Sequence, residues 1–198
     1  MHNLIHFEEG MLLFEGRWFA PVEQLLLTML LLAAMFFDIK SHRIPNRLVF
    51  LGAISAVMFH LISPHGIGPL RSAEGLAVGL IALLPLYAMR AMGAGDIKLM
   101  AMAGAFLGPA SAVGAVVTVL IAGGVLSLAA AMKNRSIQRM LSNMRFMMTH
   151  ALVGSSTGTT VTLDAIPLTA GKVPYAVAIA AGTIIHLWLV RIGHPLLA

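Results

Sequence analysis

The chain of 198 residues contains no cysteine. This absence excludes disulfide bonds, zinc sites built on thiolates and cysteine nucleophiles. Charged residues are also scarce, at 11%, whereas hydrophobic residues make up 59% and the mean hydropathy is +0.89. Soluble domains of this length seldom reach such values. We therefore expect an integral membrane protein whose chemistry depends on Asp, Glu, His, Ser or Lys.

Two further classes of protein lack support in the sequence. The formal net charge is +5, but the basic residues are spaced out between apolar segments and form no patch interleaved with aromatic residues. Nucleic-acid binding is therefore not expected. The eight histidines are dispersed, and no His-Glu-x-x-His or paired-ligand spacing occurs, so we expect neither a metal nor another cofactor.

Apolar stretches of about 17–23 residues can cross the hydrocarbon core of a membrane. The sequence contains six of them, at residues 21–38, 47–63, 75–91, 93–109, 111–132 and 174–192. We therefore predict an all-α, polytopic membrane helix bundle of about six transmembrane helices, forming a single domain over residues 1–198. The fourth and fifth stretches are separated only by Gly-Pro-Ala-Ser, so these two could form a tight helical hairpin.

The lysines and arginines indicate how the bundle is oriented. If successive spans alternate in direction, only three of these thirteen residues fall on one side of the membrane, namely Arg17, Arg71 and Arg191. The positive-inside rule then places the other side in the cytoplasm and both termini outside. Residues 1–20 are accordingly predicted to be an extracytoplasmic segment, and residues 133–172 a cytoplasmic loop.

Two of the eight acidic residues, Asp38 and Asp96, lie closest to apolar cores. Asp38 ends the first span, and Asp96 begins the fourth, which runs in the opposite direction, so both are predicted at the same cytoplasmic depth. Asp96 could simply be the N-cap of a helix, and Asp38 could lie at a solvated helix end, although an acid there gains no cap. Ionisable residues are costly within a membrane, however, so two at matched depth indicate a functional pair.

Asp96 belongs to the segment Gly-Ala-Gly-Asp-Ile-Lys at residues 93–98. Gly93 and Gly95 would let another backbone approach the carboxylate closely, either in helix packing or in substrate binding. Two carboxylates within a few ångströms cannot both ionise easily and therefore share a proton. One can then activate water while the other donates a proton to a leaving amine, as in an aspartic protease.

The segment "GAGDIKLMAMAGAFLG" resembles the G-x-G-D motif of the prepilin peptidases, membrane aspartic proteases that remove leader peptides from type IV prepilins. "DIKSHRIPNRL" resembles the first aspartate segment of that family, and "KVPYAVAIAAG" its closing helix. The resemblance covers about residues 25–192. It implies that Asp38 and Asp96 form the catalytic dyad and that Gly93 and Gly95 shape its surroundings. Lys98 matches the usual lysine after the motif and is expected to orient substrate, contact phospholipid or extend to the interface.

The resemblance also implies partners and a location. The substrate would be a prepilin cut at the cytoplasmic membrane face, usually after a glycine, and the protein would lie in the bacterial inner membrane and work with the pilus assembly machinery. The chain looks like the short form found in tight-adherence (Flp) pilus systems. It lacks the cysteine-rich insert that long members carry, which puts methyl transfer in doubt.

The alternative to a peptidase is a small proton- or cation-coupled transporter that uses Asp38 and Asp96. A transporter would favour acids near the membrane midplane and an internal repeat. The two aspartates are instead predicted near one face, and the sequence shows no repeat.

Overall fold

The computed structural model describes residues 5–8, 11–14, 17–64, 66–89, 91–133 and 175–193. Within them lie five helices: α1 (Val22–Ser41), α2 (Asn46–Ile62), α3 (Pro69–Ala88), α4 (Ala94–Lys133) and α5 (Tyr175–Arg191). Three short strands precede them: β1 (Ile5–Glu8), β2 (Met11–Phe14) and β3 (Arg17–Pro21). The predicted cytoplasmic loop over 133–172 lies almost wholly outside the described residues.

The strands were not predicted from the sequence. They pair antiparallel in the order β1-β2-β3, with Glu8 opposite Met11 and Phe14 opposite Arg17. The residues between them are Glu-Gly in both cases, at 9–10 and 15–16. Two-residue hairpin connections favour glycine because they require positive φ angles. These two dipeptides were the signal that could have predicted the sheet.

Three helices of the described residues are long and apolar enough to cross a membrane, and α2 and α5 are shorter apolar helices. Large apolar side chains cover the outside of the helices, and Met29, Phe50 and Leu70 are each 68–72% exposed. A surface of this kind suits lipid rather than water. The fold thus agrees with a helical membrane protein, whereas the count of six spans and the N-out, C-out topology stay predictions.

Proline and glycine fix several helix ends. Pro45 directly precedes α2, and α3 begins with Pro69 after Gly68, whose φ is 87°. Proline suits the first turn of a helix because the N–H groups of that turn have no acceptor within the helix, so the N–H that proline lacks is not needed there. The third helix therefore begins at residue 69 rather than at the predicted residue 75. Its added turn carries Arg71 and Glu74, which are exposed and so add no buried charge.

Helix α4 is interrupted at Gly108, where φ is 74° and ψ is 172°. Pro109 follows and has no N–H, so the carbonyl of Ala105 loses its usual helical partner. Side chains from two other helices replace the lost bonds. The Ser72 hydroxyl donates to the Ala105 carbonyl at 2.7 Å, and His60 Nε2 donates to the Phe106 carbonyl at 3.0 Å. Side chains of α2 and α3 thus stabilise the interruption.

The two halves of α4 run in opposite directions. A methyl group placed on Gly123 would lie 3.7 Å from Cβ of Ala178, in the first turn of α5. Asp96, at the start of α4, interacts electrostatically with Asp38, whose carboxylate is bonded to the N–H of Ala176 in the same turn. A straight helix would separate Asp96 from Gly123 by about 40 Å. The chain therefore folds back at Gly108, in agreement with the hairpin considered for this segment.

The first half of α4 lies at the centre of the bundle, where close backbone contacts hold it. A methyl group on Gly104 would overlap the carbonyl oxygen of Gly75 in α3, and a methyl group on Gly79 would overlap that of Met100. Small residues at such crossings let membrane helices approach closely. Buried side chains of this half include Leu99, Met100 and Met102.

The chain clusters into two compact units, residues 1–123 with 174–198 and residues 124–173. The structure describes the second unit only through residues 124–133, which continue α4. The single-domain boundary therefore stays a prediction. All residues of the predicted site belong to the first unit.

The reversal of α4 can be tested by cross-linking, since the chain has no native cysteine. We expect Gly123→Cys with Ala178→Cys to form a disulfide under mild oxidation, because the Cβ separation of 3.7 Å matches disulfide geometry. Fragments produced at a protease site inserted in the 133–172 loop should stay joined until reduced. Gly123→Cys with Val190→Cys, about 18 Å further along α5, is the matched control. Equal cross-linking of both pairs would contradict the antiparallel arrangement.

The central crossing can be tested by thermal unfolding in detergent. We expect Gly104→Ala to lower stability by about 1–3 kcal/mol, because the added methyl group forces α3 and α4 apart. Gly123→Ala on the same helix is the control, since its methyl group meets only ordinary contacts at 3.7–3.8 Å. That variant should be neutral or more stable by up to about 1 kcal/mol. A Gly104→Ala protein as stable as Gly123→Ala would refute the close crossing.

Candidate active site

Asp38 lies in the last turn of α1 and is only 7% exposed. Its Oδ2 accepts a hydrogen bond of 3.1 Å from the backbone N–H of Ala176, the second residue of α5. The first turn of a helix has free N–H groups and the positive end of the helix dipole, both of which favour an anion. Asp38 thus gains no cap from its own helix, as expected, but it caps the start of α5, 138 residues away in the sequence.

The backbone just after Asp38 is also fixed. His42 has a φ of 49°, and its N–H donates to the Asp38 carbonyl at 2.8 Å. A residue in the left-handed conformation commonly ends a helix in this way. Helix α1 thus ends within one turn of Asp38, and the connection to α2 begins beside the carboxylate.

Asp96 is the third residue of α4 and is 8% exposed. Gly93 N–H donates to its Oδ2 at 3.0 Å, while the N–H of Asp96 donates to the Gly93 carbonyl at 3.1 Å. An acid at this position that bonds back to the residue before the helix forms half of a capping box. The hypothesis that Asp96 is itself the N-cap is wrong, because the helix already begins at Ala94.

The two carboxylates are both buried and are near enough for their charges to interact. They are the only buried acids among the side chains that the structure describes, and the charge of Asp38 acts on Asp96. Repulsion between like charges is strong where little water screens it. In each residue, the bonds to described residues engage only Oδ2. Each Oδ1 is therefore available to water, to substrate or to a shared proton.

Gly93 and Gly95 leave bare backbone beside Asp96. A methyl group on Gly93 would lie 3.3 Å from Asp96 Oδ2, which is tighter than most contacts of that kind. On Gly95 its three nearest neighbours would be atoms of Ile44, at 3.5–3.7 Å, which is ordinary contact. Gly93 is exposed and Gly95 is half-buried. The surface in front of the acid is therefore reachable and carries no side chain of its own.

Lys98 lies close in sequence but faces elsewhere. It follows Asp96 by two residues, about 200° around the helix, and its exposed Nζ donates to Asn46 Oδ1 at 3.2 Å. Both residues border an apolar groove of about 230 Å³ between α2, α3 and α4. The rest of its lining is Val49, Phe50, Ala53, Leu76, Leu80, Ala101 and Met102. The structure thus brings Asp38, Asp96 and the two glycines together and leaves Lys98 on another face.

The described residues include no group of three or more His, Cys, Asp and Glu side chains that could hold a metal ion. The arrangement has instead two acids on separate helices, each held by a backbone N–H. Such a pair can act as acid and base together. Two contributors were not predicted from the sequence, namely the N–H of Ala176 and the side chain of Ile44. Pro174 lies two residues before Ala176, and Pro45 directly follows Ile44. Each proline marked its segment as the start of a helix but did not indicate what the segment contacts.

Comparison with known proteins identifies a family for this chain. The sequence model described as the type IV leader peptidase family matches residues 25–128, just over half of the chain. The matched part includes both aspartates, Gly93, Gly95 and Lys98. Comparison with curated proteins and with solved structures gives no match.

Proposed function

The chain belongs to the type IV leader peptidase family, and on that premise we propose that it is an aspartic endopeptidase that removes the leader peptide from type IV prepilins. We further propose that it acts in the bacterial inner membrane, at the cytoplasmic face, with six spans and both termini outside. The substrates would be prepilins of the Flp type. The observation that carries the proposal is the buried pair formed by Asp38 and Asp96 beside bare glycine backbone.

The chemistry follows from a proton shared by the pair. The ionised carboxylate takes a proton from a water molecule while the oxygen of that water attacks the scissile carbonyl. The protonated carboxyl group donates a hydrogen bond to the carbonyl oxygen and stabilises the tetrahedral intermediate. When the carbon–nitrogen bond breaks, a proton passes to the leaving amine. Water is consumed, and the products are a new carboxylate and a new amino terminus.

The backbone bonds on Oδ2 have a role in this scheme. The N–H groups of Ala176 and Gly93 each bind the Oδ2 atom of one carboxylate, so that both Oδ1 atoms remain for the reacting groups. Acid and base groups must be held in place to contribute fully to the rate. Gly93 and Gly95 would then admit an extended segment of the prepilin in front of Asp96.

Lys98 is assigned a supporting role away from the chemistry. Its ammonium group and the Asn46 amide lie at one end of the apolar groove between α2, α3 and α4. A cation at a helix end near the cytoplasmic interface suits either the polar part of the substrate or a phospholipid headgroup. The family match favours the peptidase over the transporter. No observation on the described residues specifically supports a transporter.

The dyad is tested by Asp38→Asn and Asp96→Asn in the full chain, with cleavage of a co-expressed prepilin followed on a gel. Asparagine can still accept the bonds from Ala176 and Gly93 but cannot take up or release a proton. We expect each variant to lose at least about 100-fold in cleavage rate while accumulating normally in the membrane. Glu74→Gln, on the exposed face of α3, is the control and should cleave at the rate of the unmodified chain. Normal cleavage by either aspartate variant would contradict a catalytic role for that residue.

The two glycines should differ in kinetic effect. Gly93→Ala places a methyl group 3.3 Å from Asp96 Oδ2 and displaces the acid, so we expect kcat to fall by about tenfold. Gly95→Ala fits the resting protein but narrows the surface in front of Asp96, so we expect mainly an increase in KM. Purified protein in liposomes with a synthetic prepilin peptide provides both constants. An unchanged KM in Gly95→Ala would show that substrate does not lie against this residue.

A further inference from the structure

The side chain of Ile44 forms a wall beside the candidate active site. Ile44 lies in the connection between α1 and α2, six residues after Asp38, and is half-buried. Its Cβ, Cδ1 and Cγ1 atoms are 3.5, 3.6 and 3.7 Å from the position that a methyl group on Gly95 would take. Gly95 directly precedes Asp96. An aliphatic side chain therefore packs on the residue that directly precedes the acid.

This wall is stiff. Isoleucine is branched at Cβ, which restricts its χ1 angle. Pro45 follows, with φ of −62° and ψ of 124°, and a residue before proline is itself confined to extended conformations. The His42 N–H, bonded to the Asp38 carbonyl, fixes the other end of the connection. Ile44 is thus held in place from both directions and cannot easily turn away from a bulky ligand.

We infer that Ile44 is a specificity-determining residue that limits the size of the substrate residue adjoining the scissile bond. The inference rests on the proposed peptidase function. A substrate backbone that lies on the open side of Gly95, close enough to reach Asp96, places the side chain of one flanking residue against Ile44. Because Ile44 already packs on Gly95, a small flanking side chain avoids Ile44, whereas a branched one meets its methyl groups.

A purely structural role makes a different prediction. Ile44 also packs against the buried core, as does Leu48 in the first turn of α2. If Ile44 acted only through this packing, shortening it would change the cleavage of all substrates by the same factor. If Ile44 selects by size, shortening it changes the ratio between small and large substrates.

The experiment uses the full chain in liposomes and prepilin peptides in which each residue flanking the scissile bond is, in turn, Gly, Ala or Val. For Ile44→Ala we expect kcat/KM with the Val peptide to rise at least about tenfold relative to the Gly peptide, at one of the two positions. Removing methylene groups from a binding pocket commonly changes discrimination by about 10–200-fold. Leu48→Ala, a matched loss of packing on the same segment, should leave the ratio unchanged.

Three outcomes are separable. An unchanged ratio at both positions, with the small peptides still cut, overturns the role of Ile44 and leaves the peptidase function standing. Failure of the unmodified chain to cut any of the peptides counts against the function itself. If Ile44→Ala cuts nothing, Ile44→Val, which removes one methyl group, decides the matter. The same change in ratio, smaller in size, supports the inference, and an unchanged ratio overturns it.

Discussion

Burying two carboxylates whose charges interact is the constraint on which the rest of this structure depends. Moving one charged carboxylate out of water costs several kcal/mol even after the protein relaxes. A hydrogen bond to a charged group recovers about 1.5–3 kcal/mol, and the end of a helix dipole adds about 0.3–1 kcal/mol. Asp38 and Asp96 each receive one backbone N–H from the start of a helix. This support falls short of the cost of burying two charges that also repel each other.

The course of the chain follows from where those two N–H groups must be. Ala176 can reach Asp38 only if α5 begins where α1 ends, and Asp96 can join them only if α4 begins at the same level. The interruption at Gly108 returns the second half of α4 to this level, where it packs against α5. Ser72 and His60 satisfy the carbonyls that the interruption leaves free. Helical hydrogen bonds are thus lost at Gly108, far from the site, and this loss allows three helix ends to meet at the site.

The sequence predicted the parts of this arrangement that depend on local composition. The apolar stretches located each helix that the structure describes, and the acids stood out because almost no other charge lies within those stretches. The hairpin in α4 was also foreseeable, since Gly-Pro interrupts an otherwise continuous run. The partner of Asp38 was not foreseeable. It is a backbone N–H, which any residue type except proline provides, and it belongs to Ala176, 138 residues away. Asp96 was considered as the N-cap because a glycine directly before an acid suggests a cap at the acid. Gly93 is the N-cap instead, and Asp96 is the third residue of the helix.

On the proposed function, the short connection between α1 and α2 would link the chemistry to the selection of substrate. Its first residue, His42, ends α1 through its bond to the Asp38 carbonyl, and Ile44 packs on the glycine before Asp96. Because Ile44 is held from both ends, a bulky ligand cannot displace it without moving the backbone that carries Asp38 or the segment that carries Asp96. On the proposed function, a substrate that fits poorly at Ile44 would therefore be kept away from both acids.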